Sequence, residues 1–344
     1  MDKFLNKYWK IILTAIMGVG IYIFFAFYYF GHLYYQEQLQ LFIFDFDYWK
    51  ERIAVPGGFA DYIAEFLVQF YYYAWTGALI ISLLLISIQL IFWRIMRKEN
   101  LPDTYYPISF IPTFALVFYY CDEHALMSFT IALLIVLCAT LKYTKFNKDW
   151  KKIIYLFFML PFLYGLAGPV HFVFLGWLVL HELFKLFDRK KVGKALIMLF
   201  LAILYGIACP LFSSYFIQYP LYRLFGGINY YRFPSSIPFV EIVIILSLIL
   251  LPFILRILPN SEKKRRITIV VQLTFLILIG WSSFHFACDM NKEEAMRYDY
   301  WVKKSMWNKI ISAAEKKAPD SPFTVTCLNL ALMLHQQMLA MYTT

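Results

Sequence analysis

Residues 125–169 read ALMSFTIALLIVLCATLKYTKFNKDWKKIIYLFFMLPFLYGLAGP. Two uncharged apolar runs, 125–141 and 153–169, flank a hydrophilic segment that carries the five lysines Lys142, Lys145, Lys148, Lys151 and Lys152. Runs near this length predict membrane-crossing helices, because about 20 residues at a rise of about 1.5 Å per residue span the hydrocarbon core. The segment therefore predicts a transmembrane hairpin whose basic loop faces the cytoplasm.

The composition of the whole chain agrees with a lipid environment. Hydrophobic residues make up 61% of the 344 residues and charged residues 16%, against roughly 45–50% and 25% in soluble domains. Such a chain is neither a soluble enzyme nor a disordered linker. Its net charge of +10 does not indicate a nucleic-acid partner either, because the basic residues are clustered between apolar runs.

Nine apolar segments predict an all-α, polytopic membrane helical bundle at residues 1–286. The predicted spans are 11–30, 76–94, 105–121, 125–141, 153–169, 171–187, 195–212, 237–257 and 267–286. The third carries Pro107 and Pro112, which a transmembrane helix tolerates where its neighbours satisfy the freed backbone groups.

Basic residues alternate along these spans and predict the orientation. Most of the 32 lysines and arginines lie before the first span or in every second loop, whereas the predicted outer loops hold only Lys50, Arg52, Arg223 and Arg232. The positive-inside rule then predicts a multi-pass membrane protein with a cytoplasmic N-terminus and a C-terminus on the outer, periplasmic or extracellular, face. The first span lacks a small-residue cleavage site, so we expect a retained anchor.

The first predicted outer loop, residues 31–75, is interrupted by Pro56-Gly57-Gly58, a strong helix breaker. After the break, apolar residues recur at helical spacing and leave Asp61, Glu65 and Gln69 on another face. The pattern predicts two amphipathic helices that lie in the outer membrane interface.

The tail, residues 287–344, has mixed charge and predicts an outward-facing helical hairpin around Ala318-Pro319-Asp320-Ser321-Pro322. Helix, proline-containing turn and helix resemble one tetratricopeptide-type repeat, and one such unit cannot bury a core alone. We therefore expect the hairpin to dock on the membrane domain or on a protein partner, or to begin a longer repeat domain. Cys288 and Cys327 both lie outside the spans and are candidates for a disulfide.

Acidic residues in two predicted outer segments are candidates for chemistry. Asp45 and Asp47 lie in the first outer loop, and Asp122 and Glu123 lie in the turn between the third and fourth spans. Carboxylates that meet at a membrane surface can bind a divalent cation or act as a general base, although acids in short turns also serve as solvated caps.

Four further residues are candidates for substrate binding. Arg223 and Arg232 lie in an outer loop, where a planar guanidinium suits phosphate or a lipid headgroup. Glu241 and His285 lie near the outer ends of the last two spans, and ionisable residues inside a membrane often mark function.

Together, the long first outer loop with its acids, the Asp122-Glu123 turn and the outward tail resemble the membrane glycosyltransferases of the C type. The resemblance covers about the first 140 residues and the topology. It implies a transferase that moves a sugar from a polyprenyl phosphate to an acceptor on the outer face. Asp45 or Asp47 would be the base, Asp122 and Glu123 would act on the phosphate side, and Arg223 and Arg232 would bind phosphate. Asp47 and Asp122 would hold Mg²⁺ or Mn²⁺.

Locally, Glu37-Gln38, Pro56-Gly57-Gly58 and the run from Phe66 to Tyr73 also resemble a family of multi-pass inner-membrane proteins of Bacteroidota with no assigned activity. Two other functions stay open from the sequence. A non-catalytic scaffold needs none of the acids, and a transporter of a lipid or small solute would need polar groups at mid-membrane. In every case membrane lipid is a partner.

Overall fold

The computed structural model describes residues 2–187, 192–226, 239–257 and 265–343, and within these ranges the chain is helical and contains no β-strand. The α-helices are α1 (Asp2–Ile23), α2 (Phe30–Leu39), α3 (Phe46–Ile53), α4 (Gly58–Val68), α5 (Ala74–Lys98), α6 (Ile111–Tyr119), α7 (Met127–Thr144), α8 (Asp149–Ala167), α9 (Phe172–Phe187), α10 (Val192–Ser214), α11 (Leu221–Gly226), α12 (Phe239–Ile257), α13 (Arg265–Ala287), α14 (Met290–Lys303), α15 (Trp307–Lys316) and α16 (Pro322–Thr343). The predicted all-α class is confirmed.

Six helical stretches in the described ranges are long and apolar enough to cross a membrane. They are Tyr8–Tyr28, Ala74–Lys98, Met127–Thr144, Asp149–Leu186, Val192–Ser214 and Phe239–Ile257, and α13 adds a shorter apolar stretch, Ile267–Ser282. This arrangement confirms a membrane-embedded helical bundle. Seven of the nine predicted spans lie in these six stretches of the described ranges, and the last, 267–286, lies in α13.

One of the six stretches contains two of the predicted spans. The chain bends at Gly168, whose φ of 57° is in the left-handed region. The ring of Tyr143 in α7 lies 5.1 Å from the Lys152 Nζ atom near the start of α8, and its hydroxyl donates a hydrogen bond to Glu182 of α9 at 2.9 Å. The beginning of α8 and the later turns of α9 therefore lie at the same end of the bundle, so α8 and α9 run in opposite directions as predicted.

The third predicted span, 105–121, is wrong as a continuous crossing helix. Two short 3-10 turns, Asp103–Tyr105 and Pro107–Phe110, precede α6, which is only 9 residues long and thus about 14 Å. Proline supplies no backbone N–H and its ring blocks the preceding turn, so it confines regular helix to the residues that follow.

The first outer loop forms three α-helices, and the prediction of two interfacial helices needs correction. Helix α2 is largely buried beneath α14, whereas α3 exposes Phe44 and Phe46 at its start. Helix α4 packs on α7 and α8 through its small residues, with Ala60 and Ala64 fully buried. Small residues let helices approach closely when lipid surrounds both. Helix α4 therefore packs mainly through its alanines, whereas Phe66, which belongs to the predicted apolar face, is partly exposed.

The tail contains three helices instead of one hairpin. The chain turns at Ser305, which has a φ of 54°, and α14 packs on α2 while α15 and α16 form the predicted hairpin. Cys327 belongs to the small core of this hairpin. The thiol of Cys288 lies 3.3 Å from that of Cys121, so the predicted pairing of Cys288 with Cys327 is wrong.

Candidate functional site at the predicted outer end

Three separate parts of the chain meet at one end of the bundle, and we call this meeting point the outer junction. It consists of α2, the turn 121–124 after α6, and residues 288–297 at the start of α14. The charge pattern predicts that all three face outward, and their direct contact places them on one side of the membrane domain.

At the centre of the outer junction, Glu293 of α14 binds the N-terminal turn of α2. Its carboxylate accepts hydrogen bonds from the backbone N–H of Gly31 at 2.8 Å and of His32 at 3.1 Å, and it lies 2.9 Å from the His32 Nδ1 atom. The side chains of His32 and Glu293 are 1% and 0% exposed. The first N–H groups of a helix lack partners within it and favour negative charge, so Glu293 caps α2 from a distant part of the sequence.

An aromatic stack extends this contact to the turn after α6. The rings of Tyr29 and His32 lie parallel, with their centroids 4.2 Å apart. The Tyr29 hydroxyl donates a hydrogen bond to the carbonyl oxygen of Cys121 at 3.0 Å, and the Gln36 amide donates to that of Asp122 at 3.2 Å. The turn 121–124 is thus held against α2 by side chains that are themselves buried.

The predicted acids Asp122 and Glu123 occupy this turn and have different partners. Asp122 accepts a hydrogen bond from the backbone N–H of His124 at 2.8 Å, and its side chain is 64% exposed. Glu123 is 19% exposed and forms an ion pair with Lys292 at 2.7 Å. Hydrogen bonding to Glu123 raises the pKa of Lys292. Asp122 is therefore the more accessible carboxylate of the two.

Asp45 and Asp47 lie outside this junction. Asp45 caps α3 by accepting a hydrogen bond from the backbone N–H of Asp47 at 3.3 Å, and both side chains are exposed. No hydrogen bond or ion pair among the described residues joins either acid to Asp122 or Glu123. Within the described ranges, no group of three or more histidine, cysteine, aspartate or glutamate residues is arranged to hold a metal ion. The role of Asp47 and Asp122 as ligands of Mg²⁺ or Mn²⁺ stays a prediction of the resemblance.

The predicted substrate-binding residues are dispersed. Arg223 lies on α11, which packs on α10, and its guanidinium is 5.8 Å from the Tyr222 ring. Arg232 lies outside the described residues. The carboxylate of Glu241 interacts with the Tyr119 hydroxyl, so it lies beneath the turn 121–124. His285 is exposed on α13.

An apolar groove opens between α6 and α13 below the outer junction. It has a volume of about 370 Å³ and is lined by Phe118, Phe275, Leu278, Ile279, Ser282 and Phe286. Phe118 precedes Cys121 by three residues and Phe286 precedes Cys288 by two. Since the two thiols touch, the upper end of the groove lies next to the turn that carries Asp122.

A family model matches this chain over residues 7–341. The chain belongs to DUF6057, a family of unknown function. No curated protein and no solved structure is similar to it. The matched DUF6057 region includes both the turn 121–124 and α14, so every part of the outer junction lies within the family's domain.

A second polar cluster of the DUF6057 domain lies at the opposite, predicted inner end. Glu99, which follows α5, is 2% exposed and lies 2.7 Å from His181 on α9 and 3.5 Å from Arg256 on α12. Next to it, Glu182 pairs with Lys185 at 2.7 Å. Buried charges persist when they are paired and hydrogen-bonded, and these pairs join the ends of three membrane helices.

Sequence reasoning missed His32, Glu293 and Lys292. His32 lies in an aromatic stretch that resembles a membrane-interface anchor, and the two tail residues lie in an ordinary mixed-charge helix. Because their partners are more than 160 residues away along the chain, no local spacing could have indicated them.

Proposed function

We propose that this protein is a membrane transferase that uses a lipid-linked substrate, a sugar carried on a polyprenyl phosphate, on the outer face of a bacterial inner membrane. The observation that carries the proposal is the groove between α6 and α13, which is lined almost entirely by apolar side chains and whose upper end lies next to the turn that carries Asp122. A polyprenyl phosphate matches this arrangement, because its isoprenoid chain is apolar and its phosphate head is polar.

The groove suits the lipid part of such a substrate. Its volume of about 370 Å³ is within the range of ligand sites, roughly 300–1,000 Å³. Gly280 keeps the two helices close here, since a Cβ at this position would lie 3.0 Å from the Phe114 ring. Each CH₂ group that a prenyl chain removes from water contributes about 0.8 kcal/mol. A chain that enters laterally from the bilayer would hold its head at the outer junction.

The outer junction offers groups for the head and for the reaction. Lys292 is exposed and would bind the phosphate by exchanging part of its contact with Glu123. Asp122 would take the proton from the acceptor hydroxyl as that oxygen bonds to the anomeric carbon. The bond from the anomeric carbon to the phosphate oxygen breaks, and its electron pair leaves with the polyprenyl phosphate. General-base catalysis of this kind contributes roughly 10²–10⁴-fold.

The experiment measures transfer from polyprenyl-phosphate-linked radiolabelled hexoses to acceptors in native membranes, with the protein reconstituted in lipid nanodiscs. We expect Asp122→Asn to lower the rate about 100-fold or more, whereas Asp320→Asn, a change in the exposed tail turn, leaves it unchanged. Ser282→Trp fills the groove and raises KM, while Ile277→Trp on the exposed side of the same helix does not. Asp45→Asn and Asp47→Asn test the two acids implied by the resemblance.

A second candidate is a non-catalytic membrane scaffold. The observation that favours it is the docking of α14 on α2 through the buried Glu293, which holds the tail hairpin in a fixed position on the membrane domain. Identical glycolipids and glycoproteins in a deletion strain and its parent would favour the scaffold over the transferase. Movement of a polyprenyl phosphate between leaflets without sugar transfer would instead indicate a lipid transporter.

A further inference from the structure

Two cysteines from distant parts of the chain meet at the outer junction. Cys121 ends the helical turn after α6 and is 4% exposed, and Cys288 lies between α13 and α14 and is partly exposed. Their Sγ atoms are 3.3 Å apart. The cysteines at 138, 209 and 327 show no such contact with another thiol in the described ranges.

We propose that Cys121 and Cys288 form a reversible disulfide that fastens α14 to the turn 121–124. A disulfide bond is about 2.05 Å long, so the two sulfur atoms must approach by roughly 1.3 Å. Glu123 binds Lys292 on one side of the thiols, and Glu293 binds the start of α2 on the other.

The two thiols differ in their exposure to solvent and in their pKa, and both properties affect disulfide exchange. Cys288 is the accessible partner, and a hydrogen bond from the Cys121 thiol lowers the pKa of Cys288. The thiolate is the nucleophile in thiol–disulfide exchange, so Cys288 attacks first and the buried Cys121 resolves the mixed disulfide.

The oxidant is a protein or small-molecule disulfide. In the first step the Cys288 sulfur bonds to one sulfur of the oxidant, and the other sulfur leaves as a thiolate. In the second step the Cys121 sulfur displaces the remaining half of the oxidant. The two protein thiols lose two electrons and two protons, and the oxidant's disulfide becomes two thiols. Oxidising compartments outside the cytoplasm maintain such bonds, in agreement with the predicted orientation of this end.

The proposal is tested by counting free thiols in the full chain within its membrane. The protein is equilibrated with oxidised or reduced glutathione, blocked rapidly, denatured and labelled with a polyethylene-glycol maleimide that separates each thiol state on a gel. We expect five reactive thiols after reduction, one for each cysteine, and three after oxidation. Peptide mapping of the oxidised wild-type protein should recover the Cys121 and Cys288 peptides as one cross-linked species.

Serine variants provide the controls. Cys327→Ser should still lose two thiols on oxidation, because its cysteine lies in the hairpin core. Cys121→Ser and Cys288→Ser should lose none to an internal bond. Five free thiols in the oxidised wild-type protein would overturn the proposal. So would glutathione retained on Cys288 without a cross-link, or a cross-linked peptide pair that contains Cys327. None of these results depends on transferase activity.

Discussion

Glu293 and His32 are separated by 261 residues in the sequence, yet the carboxylate of one lies 2.9 Å from the ring Nδ1 of the other and both are buried. This contact joins the tail to the helix that follows the first span. It holds α14 and the helical bundle together as one packed unit.

Replacing Glu293 with alanine should release α14 from α2. The change leaves the N-terminal N–H groups of α2 and the Nδ1 atom of His32 buried without the carboxylate that they contact, and breaking a buried pair costs about 3–5 kcal/mol. Thermal unfolding in detergent should show lower stability, and hydrogen exchange should accelerate in residues 30–39 and 290–303. The adjacent Glu294, paired with Lys317 at the surface, is the matched control, and Glu294→Ala should change stability by less than about 1 kcal/mol. Equal effects of the two variants would contradict this assignment.

Gly31→Ala should weaken the same contact from the other side. A Cβ at Gly31 would lie 2.9 Å from the backbone nitrogen of Arg297 and 3.0 Å from the Glu293 carboxylate. Because a backbone atom cannot move aside without shifting its helix, we expect the free energy of unfolding to fall by about 1–3 kcal/mol. Gly20→Ala is the control, since nothing lies within 4 Å of a Cβ there, and it should leave unfolding unchanged or slightly raise its midpoint. Equal midpoints for the two variants would rule out close packing at Gly31.

The reactivity of Cys288 should depend on pH in a characteristic way. A hydrogen bond from the Cys121 thiol lowers the pKa of Cys288, so its thiolate is present at lower pH than for an ordinary cysteine. In the reduced protein, alkylation of Cys288 by iodoacetamide, followed by mass spectrometry, should reach half its maximal rate below pH 9, the ordinary value of the group. Cys121→Ala removes the donor and should move that midpoint upward. An unchanged profile would show that the two thiols do not interact in solution.

The outer junction requires α2 and the turn with Asp122 to share one side of the membrane. Alkaline phosphatase fused after residue 56 or after residue 123 should therefore be active outside the cytoplasm, and a fusion after residue 147 should be inactive. Green fluorescent protein at the same positions should give the opposite result. Activity at only one of the first two positions would exclude a common outer site and with it the proposed transferase.

Much of the membrane architecture was predictable because it depends on local chemistry. Apolar runs such as 125–141 must avoid water, and lysines such as Lys148 must avoid hydrocarbon, so span positions and their alternation follow from the chain itself. Even the reversal between α8 and α9 was predictable, since Gly168-Pro169 interrupts the run of apolar residues. Prediction was wrong where packing decides the outcome. Pro107 and Pro112 were expected to be tolerated in a full span, but α6 is short and leaves a groove against α13.

The candidate site was less predictable than the fold. Asp122 and Glu123 were identified from their turn, but the sequence offered no sign that Glu123 would pair with Lys292, which is 169 residues away. Asp45 caps the separate helix α3 and Asp47 lies in its first turn, so the role of Asp47 and Asp122 as ligands of one cation stays a prediction.

By itself the sequence determined that this protein is a multi-helix membrane protein, because transfer of apolar and charged side chains between water and lipid is a property of each residue. Only the tertiary structure decided which polar groups meet. Glu293 against His32, and Cys121 against Cys288, depend on the relative placement of helices that the chain connects at long range, and side-chain packing fixes that placement.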